Sequence, residues 1–153
     1  MTGARLPLPD PMRRALELAQ EAALTGEVPV GAVVVCGGRI VGEGYNLTRT
    51  DKDPTAHAEV VAIRKAAAAL GDERLSACDL YVTLEPCAMC AGAISHARIG
   101  RLYYAASDPK GGAVEHGARV FAQEQCLHAP EVYSGMGAEE AAELLRGFFR
   151  ERR

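Results

Sequence analysis

Two short words in this 153-residue chain carry side chains that could do chemistry together: His57-Ala58-Glu59 and, thirty positions past the histidine, Pro86-Cys87-Ala88-Met89-Cys90. Each stands where a helix is expected to open. Cysteines at i and i+3 in a first helical turn present both sulfurs to one side, and the positive end of the helix favours the thiolate form that a metal requires. With His57 as third protein ligand the set is Cys2His, which zinc uses when its fourth position is kept for water. Zinc lowers the pKa of such a water from about 15.7 toward about 7, giving hydroxide near neutral pH.

Two alternatives stand beside this reading. Four protein ligands would make a closed, structural zinc site, and Cys36, Cys78, Cys126, His96, His116 and His128 are candidates for the fourth. None of them sits in a second paired metal spacing, which favours the open site; His96 and His128 read as packing or surface histidines. Glu59 poses a separate problem. Residues at i and i+2 of an ideal helix point to nearly opposite sides, so periodicity does not bring Glu59 to His57. They converge only if the site lies across the end of the helix, where first-turn side chains lean over the terminus.

The elements that must position these residues are read from local pattern. Asp10-Pro11 starts a helix whose apolar positions Met12, Ala15, Leu16, Ala19, Ala22 and Ala23 recur until Gly26. A buried strand over 28–36, the turn Gly37-Gly38 and a partner strand over 39–45 form a hairpin. Thr55 is the expected N-cap of an alanine-rich helix over 56–70, closed by Gly71. A strand over 79–84 follows, then a short helix opened by Pro86 and running to about 95, and a strand over 101–105. Residues 107–117 read as a loop, and 138–150 as a last amphipathic helix with Leu144, Leu145 and Phe148 inward. The pattern predicts a single α/β domain over 1–153, a three-layer α/β/α architecture. Its mixed sheet is expected to be antiparallel at the start and parallel where helices connect strands.

Composition bounds the function. A hydrophobic content of 48% supplies a full core for one domain. Residues 1–14 carry Pro7, Pro9 and Pro11 and no apolar run of signal-peptide length, and no later run reaches the roughly 18 apolar residues of a membrane span. The expected compartment is the cytoplasm, with no membrane partner. Five cysteines are an odd number in such a chain, which argues for thiolate or metal chemistry over a disulfide framework. A net charge of −3 excludes coating of nucleic acid by bulk positive charge. A local basic patch remains, with Arg146, Arg150, Arg152 and Arg153 beside Phe148 and Phe149. Taken alone, it reads as cations complementing a helix C-terminus.

His-x-Glu followed by Pro-Cys-x-x-Cys is the signature of zinc-dependent base deaminases. The wider words resemble bacterial tRNA-specific adenosine deaminases of the cytidine/deoxycytidylate deaminase superfamily. They are Glu27-Val28-Pro29-Val30-Gly31-Ala32-Val33, Asp53-Pro54-Thr55-Ala56-His57-Ala58-Glu59, Tyr81-Val82-Thr83-Leu84-Glu85-Pro86-Cys87, Met89-Cys90-Ala91-Gly92-Ala93 and Phe148-Phe149-Arg150. The likeness covers nearly the whole chain. Cytosine, guanine and adenine deaminases share the zinc and glutamate pattern, so the flanking words and the tail carry the substrate.

The resemblance implies a cytidine deaminase-like fold with a mixed five-stranded sheet, a homodimer and one Zn2+ per subunit. It implies hydrolysis of adenosine to inosine at the wobble position of a tRNA anticodon, with release of ammonia. Glu59 would take a proton from the zinc water and deliver it to the ring nitrogen, then to the departing amine. Asn46 would bond the purine and its sugar, Val30 would wall the base pocket, and Asp108 would meet a ribose 2'-hydroxyl. A carboxylate there suits RNA and not DNA, since it would be left unpaired on deoxyribose. Without the resemblance, Asp108 reads as a loop cap and Asn46 as a turn residue. Phe149 would stack on an unpaired base, with Arg150, Arg152 and Arg153 on phosphates of the anticodon stem-loop. One segment, 109–117, departs from the enterobacterial form of the family. Two rivals remain: a deaminase of free nucleobases or nucleosides, of guanine or cytosine type, and a zinc-stabilised RNA-binding module without catalysis.

Overall fold

A computed structural model describes residues 8–152. Helix α1 (Asp10–Leu24) leads into the hairpin β1 (Gly31–Cys36) and β2 (Arg39–Tyr45), followed by α2 (Ala58–Leu70), β3 (Cys78–Leu84), α3 (Ala88–Ala97) and β4 (Arg101–Ala106). Strand β5 (Glu131–Ser134) and helix α4 (Ala138–Glu151) complete the order. The five strands form one sheet in the order β2-β1-β3-β4-β5. Strand β1 runs antiparallel to both β2 and β3, while β3, β4 and β5 are mutually parallel.

The period-2 alternation of the central strands assigns the layers. Ala32 and Val34 of β1, Leu80 and Val82 of β3, and Leu102 and Tyr104 of β4 join Ala58, Ala62 and Ile94 of α2 and α3 in one core. Tyr81, Tyr103 and Ala105 project to the opposite face and pack with Met12, Leu16 and Ala141 of α1 and α4. The result is the expected α/β/α sandwich. Helix α2 docks unusually close because β2 is bare beneath it. A Cβ at Gly44 would lie 2.8 Å from Ala58 O, and one at Gly42 would lie 2.7 Å from Ala66 N. The alanines of α2 and these glycines together bring its N-terminus down onto the sheet end.

Several expected boundaries move for local reasons. Strand β1 starts at Gly31 and not at Val28: Pro29 has no N–H to offer a ladder, and the Val30 N–H turns back to Val28 O at 2.8 Å. Thr55 is not the N-cap of α2. Its amide and hydroxyl both donate to Asp53 Oδ1, at 2.9 and 2.7 Å, and that turn holds it outside the helix. His57 takes the N-cap position. Helix α3 begins at Ala88 with Cys87 as N-cap, so Pro86 precedes the helix. Strand β5 had no signal in the local pattern, and its parallel pairing with β4 breaks the expectation that helices join the parallel strands. The connection 107–130 is irregular apart from a 3-10 turn, Val120–Ala122. Among the described residues no helix is long and apolar enough to cross a membrane.

Candidate active site

Helices α2 and α3 pack against each other and point their N-termini at the carboxyl ends of the parallel strands β3 and β4. A cavity of about 400 Å³ opens there. Crevices at strand carboxyl ends bind ligands because helix N-termini leave unpaired amides and a positive dipole end. His57 and Cys87 are the two N-cap residues, with extended backbones at φ −73°, ψ 155° and φ −72°, ψ 176°. Cys90 follows in the first turn of α3 and is buried.

His57 Nδ1 lies 3.6 Å from Cys87 Sγ and 3.5 Å from Cys90 Sγ. Tetrahedral zinc, with Zn–S near 2.3 Å and Zn–N near 2.05 Å, separates N and S ligands by about 3.5 Å. The donor set and its spacing therefore fit zinc. Among the described residues these three form the group of His, Cys, Asp or Glu side chains that could hold a metal ion, and no fourth joins them. The other candidates stand elsewhere, with His96 exposed on α3. Cys36 and Cys78 are register partners across β1 and β3. Cys126 Sγ donates to His128 O at 3.1 Å, while His128 Nε2 lies 2.7 Å from Ile99 O. His116 pairs with Glu85.

The close approach of the three side chains shifts their proton affinities. The hydrogen bond from Cys90, with that of His57 and against the effect of burial, draws the Cys87 thiol down to about 4. The same pairing, together with burial and Glu59, pushes the Cys90 thiol up. The Cys87 partnership raises His57 despite burial.

Glu59 is 4% exposed and lines the same cavity as His57. The helix-periodicity objection fails because His57, in its extended N-cap conformation, is not yet on the helix. Burial lifts the Glu59 carboxyl to about 7. A carboxyl poised there can both take and give a proton near neutral pH.

Val30, Asn46 and Asp108 also line the cavity. Asn46 Oδ1 is buried and, among the described residues, is the buried side-chain N or O atom with no hydrogen-bond partner. Asp108 has both roles considered for it: Oδ1 caps the Lys110 and Gly111 amides at 3.2 and 3.0 Å while the residue borders the cavity. The tail residues stand apart from the cavity lining. Phe149 is 51% exposed, Arg150 is exposed, and Arg153 lies outside the described residues. Arg152 stacks its guanidinium 3.8 Å over the Phe148 ring. It also reaches the end of α1, where a Cβ at Gly26 would lie 3.7 Å from Nη2. Val28, two residues on, lines the cavity.

Two polar side chains of the cavity, Thr48 and Glu85, have no role assigned from local pattern. Thr48 borders the pocket just past Asn46. Glu85 is the larger omission: its side chain is wholly buried, and it accepts the amides of Asp108, Val114, Glu115 and His116 at 2.9 to 3.1 Å. A carboxylate just before Pro-Cys, facing a glycine-bearing loop 23 to 31 residues later, was the available signal.

The sequence profile of the cytidine and deoxycytidylate deaminase zinc-binding region matches residues 9–106. A tRNA-specific adenosine deaminase of Agrobacterium fabrum is 60% identical over 142 residues, covering 93% of each chain. The chain belongs to the cytidine and deoxycytidylate deaminase family, within its tRNA-specific adenosine deaminases. A solved structure from studies of A-to-I editing by tRNA:A34 deaminases is similar at a TM-score of 0.87, with 58% identity over 88% of this chain and 98% of that one. The guanine deaminase of Bacillus subtilis is 50% identical, at a TM-score of 0.62 over 63% of this chain and 62% of its own. The cytidine deaminase fold and zinc dependence are thus family properties of this chain.

Proposed function

We propose that this chain hydrolyses adenosine to inosine at the wobble position of a tRNA anticodon, releasing ammonia. The observation that carries the chemistry is a His57, Cys87, Cys90 group sharing one cavity with buried Glu59 and the unpartnered Asn46 Oδ1. The relatives supply the substrate: the Agrobacterium fabrum protein is a tRNA-specific adenosine deaminase, and the tRNA:A34 deaminase structure comes from work on the wobble position.

His57, Cys87 and Cys90 would hold zinc, which when bound acidifies a water enough to make it the nucleophile near neutral pH. Glu59 accepts one proton from the attacking water and delivers it to the purine nitrogen beside C6, then takes the second from the newly added hydroxyl and delivers it to the departing amine, so that one carboxyl serves as base and acid. Asn46 Oδ1 lacks a donor in the free protein, and a purine nucleoside brings one. Val30 supplies an apolar wall. Asp108 keeps Oδ2 for a ribose 2'-hydroxyl after Oδ1 is spent on its turn. Phe149 stacks on an unpaired base of the stem-loop, and Arg150 and Arg153 meet phosphates. In this reading the chain works as a cytoplasmic homodimer with one zinc per subunit.

The deciding experiment gives purified, zinc-loaded protein an adenosine-bearing anticodon stem-loop and, separately, free guanine, cytidine and adenosine. Ammonia and inosine from the stem-loop are expected. Rapid conversion of a free base or nucleoside with the stem-loop unchanged would establish the rival, which the similarity to guanine deaminase favours.

A further inference from the structure

Glu85 sits two residues before the zinc-ligand candidate Cys87, yet its carboxylate is turned away from proton chemistry. Oε1 accepts the Asp108 amide at 2.9 Å and faces His116 Nδ1 at 2.8 Å; Oε2 accepts three successive amides, Val114, Glu115 and His116, at 3.0 to 3.1 Å. An ionised carboxyl offers about four lone-pair sites. With five donors on it, Glu85 has none left for a substrate. Since a carboxylate only accepts, His116 Nδ1 carries the proton of that contact.

These bonds fold a loop that has no helix or strand to hold it. The chain leaves β4, passes Asp108, and is tied back by Gly112 N–H to Asp108 O and Ala113 N–H to Pro86 O, both at 2.8 Å. Tyr104 donates its hydroxyl to Glu115 from the core. Gly112 packs so tightly on Glu85 that a Cβ there would overlap the carboxyl group. Asp108, at the head of this loop, borders the cavity, while His116, 34% exposed, pairs with Glu85.

We infer that Glu85 and His116 form a latch that positions Asp108 against the substrate's sugar, so that both are positioning residues for recognition without touching the reacting atoms. The inference rests on the reading of Asp108 as a ribose contact. It assigns a purpose to the 109–117 segment: a buried carboxylate and a half-buried imidazole hold the loop where regular secondary structure is lacking.

The test uses the zinc-loaded full chain and the adenosine stem-loop. His116→Ala removes the side-chain donor, and His116→Asn restores one near the Nδ1 position. Loss of one hydrogen bond to a buried charge predicts His116→Ala to raise KM roughly tenfold, with kcat changed less than about threefold. His116→Asn is expected to recover most of the loss. In a Glu59→Ala background, which removes turnover, the stem-loop Kd should weaken by the same factor with zinc content unchanged. Once Asp108→Ala is present, His116→Ala should add nothing further. If His116→Ala folds poorly, the near-isosteric Glu85→Gln, which weakens the acceptor that His116 faces, tests the same latch. Unchanged stem-loop affinity in the variants, or effects that multiply with those of Asp108→Ala, would overturn the inference. Turnover of the stem-loop by the unsubstituted chain separately decides the functional reading on which it rests.

Discussion

The metal end of the cavity and the C-terminal tail are built on opposite terms. At the metal end, two helix N-termini meet over a closely docked sheet, Glu59 is 4% exposed, and every functional side chain hangs from an N-cap or a first turn. At the tail, Phe149 is 51% exposed and Arg150 projects from the last turn of α4. The difference matches what each region is proposed to do. Proton transfer gains from a dry, preorganised site in which burial shifts a carboxyl toward neutrality. Contact with a folded RNA gains from exposed stacking surface and cations that reach phosphates.

The sharpest way to break this contrast is to remove its chemical half. Cys87→Ala should lose zinc and all measurable turnover, read by metal analysis and ammonia release. Glu59→Ala should lower kcat by roughly a thousandfold yet retain zinc and stem-loop affinity, because the residue is outside the ligand group. Loss of metal from Glu59→Ala, or retained turnover, would contradict the assignment.

Asn46→Ala probes the boundary between the two halves. If the buried Oδ1 waits for a substrate donor, its removal should cut kcat/KM by roughly tenfold to a hundredfold. Thermal stability should hold or rise, since the free protein leaves that atom unpaired. A fall in Tm with unchanged kinetics would make Asn46 a structural residue.

The tail is expected to give smaller effects. Phe148 is buried and belongs to the fold, so truncation from that residue would confuse stability with binding. Phe149→Ala should weaken stem-loop binding roughly tenfold by loss of a stacking surface. Arg150→Ala should lower the slope of log K against log salt by about 1. Unaltered affinity in both would return the patch to a helix C-terminus with complementary charge.

The smallest effect concerns acid stability. Burial pushes Glu27 up, but bonds from the Thr50 hydroxyl and amide and the Arg49 amide outweigh it and hold the carboxyl below its ordinary 4.5. Its ionised form therefore stabilises the fold fully above pH 4.5, and that contribution is lost as pH falls through the lowered value. Melting curves from pH 6 to pH 3 should show a shallower decline for Glu27→Gln than for the parent. Equal slopes would remove the claim that Glu27 pins the loop after β2.

Some of the site was legible because it depends on neighbours in sequence. The Cys87–Cys90 spacing, the helix periodicity of α1 and α4, the Gly37-Gly38 hairpin and the stop of α2 before Gly71 all follow from interactions within a few residues. Strand β5 was invisible because its four residues are all exposed and show no alternation; pairing with β4 alone makes it a strand. Thr55 misled because its side chain found Asp53 before it could find the helix. Glu85 stood in plain view beside Pro86, but its partners come from a loop with no periodicity of its own.

By itself, then, the sequence determined the two chemical words, His57-Ala58-Glu59 and Cys87-Ala88-Met89-Cys90, and the α/β elements that carry them, each encoded in spacings short enough for local geometry to read. Tertiary structure alone decided that Glu59 faces His57, that Asn46 Oδ1 is buried without a partner, and that Glu85 gathers the 107–117 loop. These depend on where helix ends dock and which polar groups lose water. Burial and partnership are set by contacts between segments tens of residues apart, and no local pattern contains them.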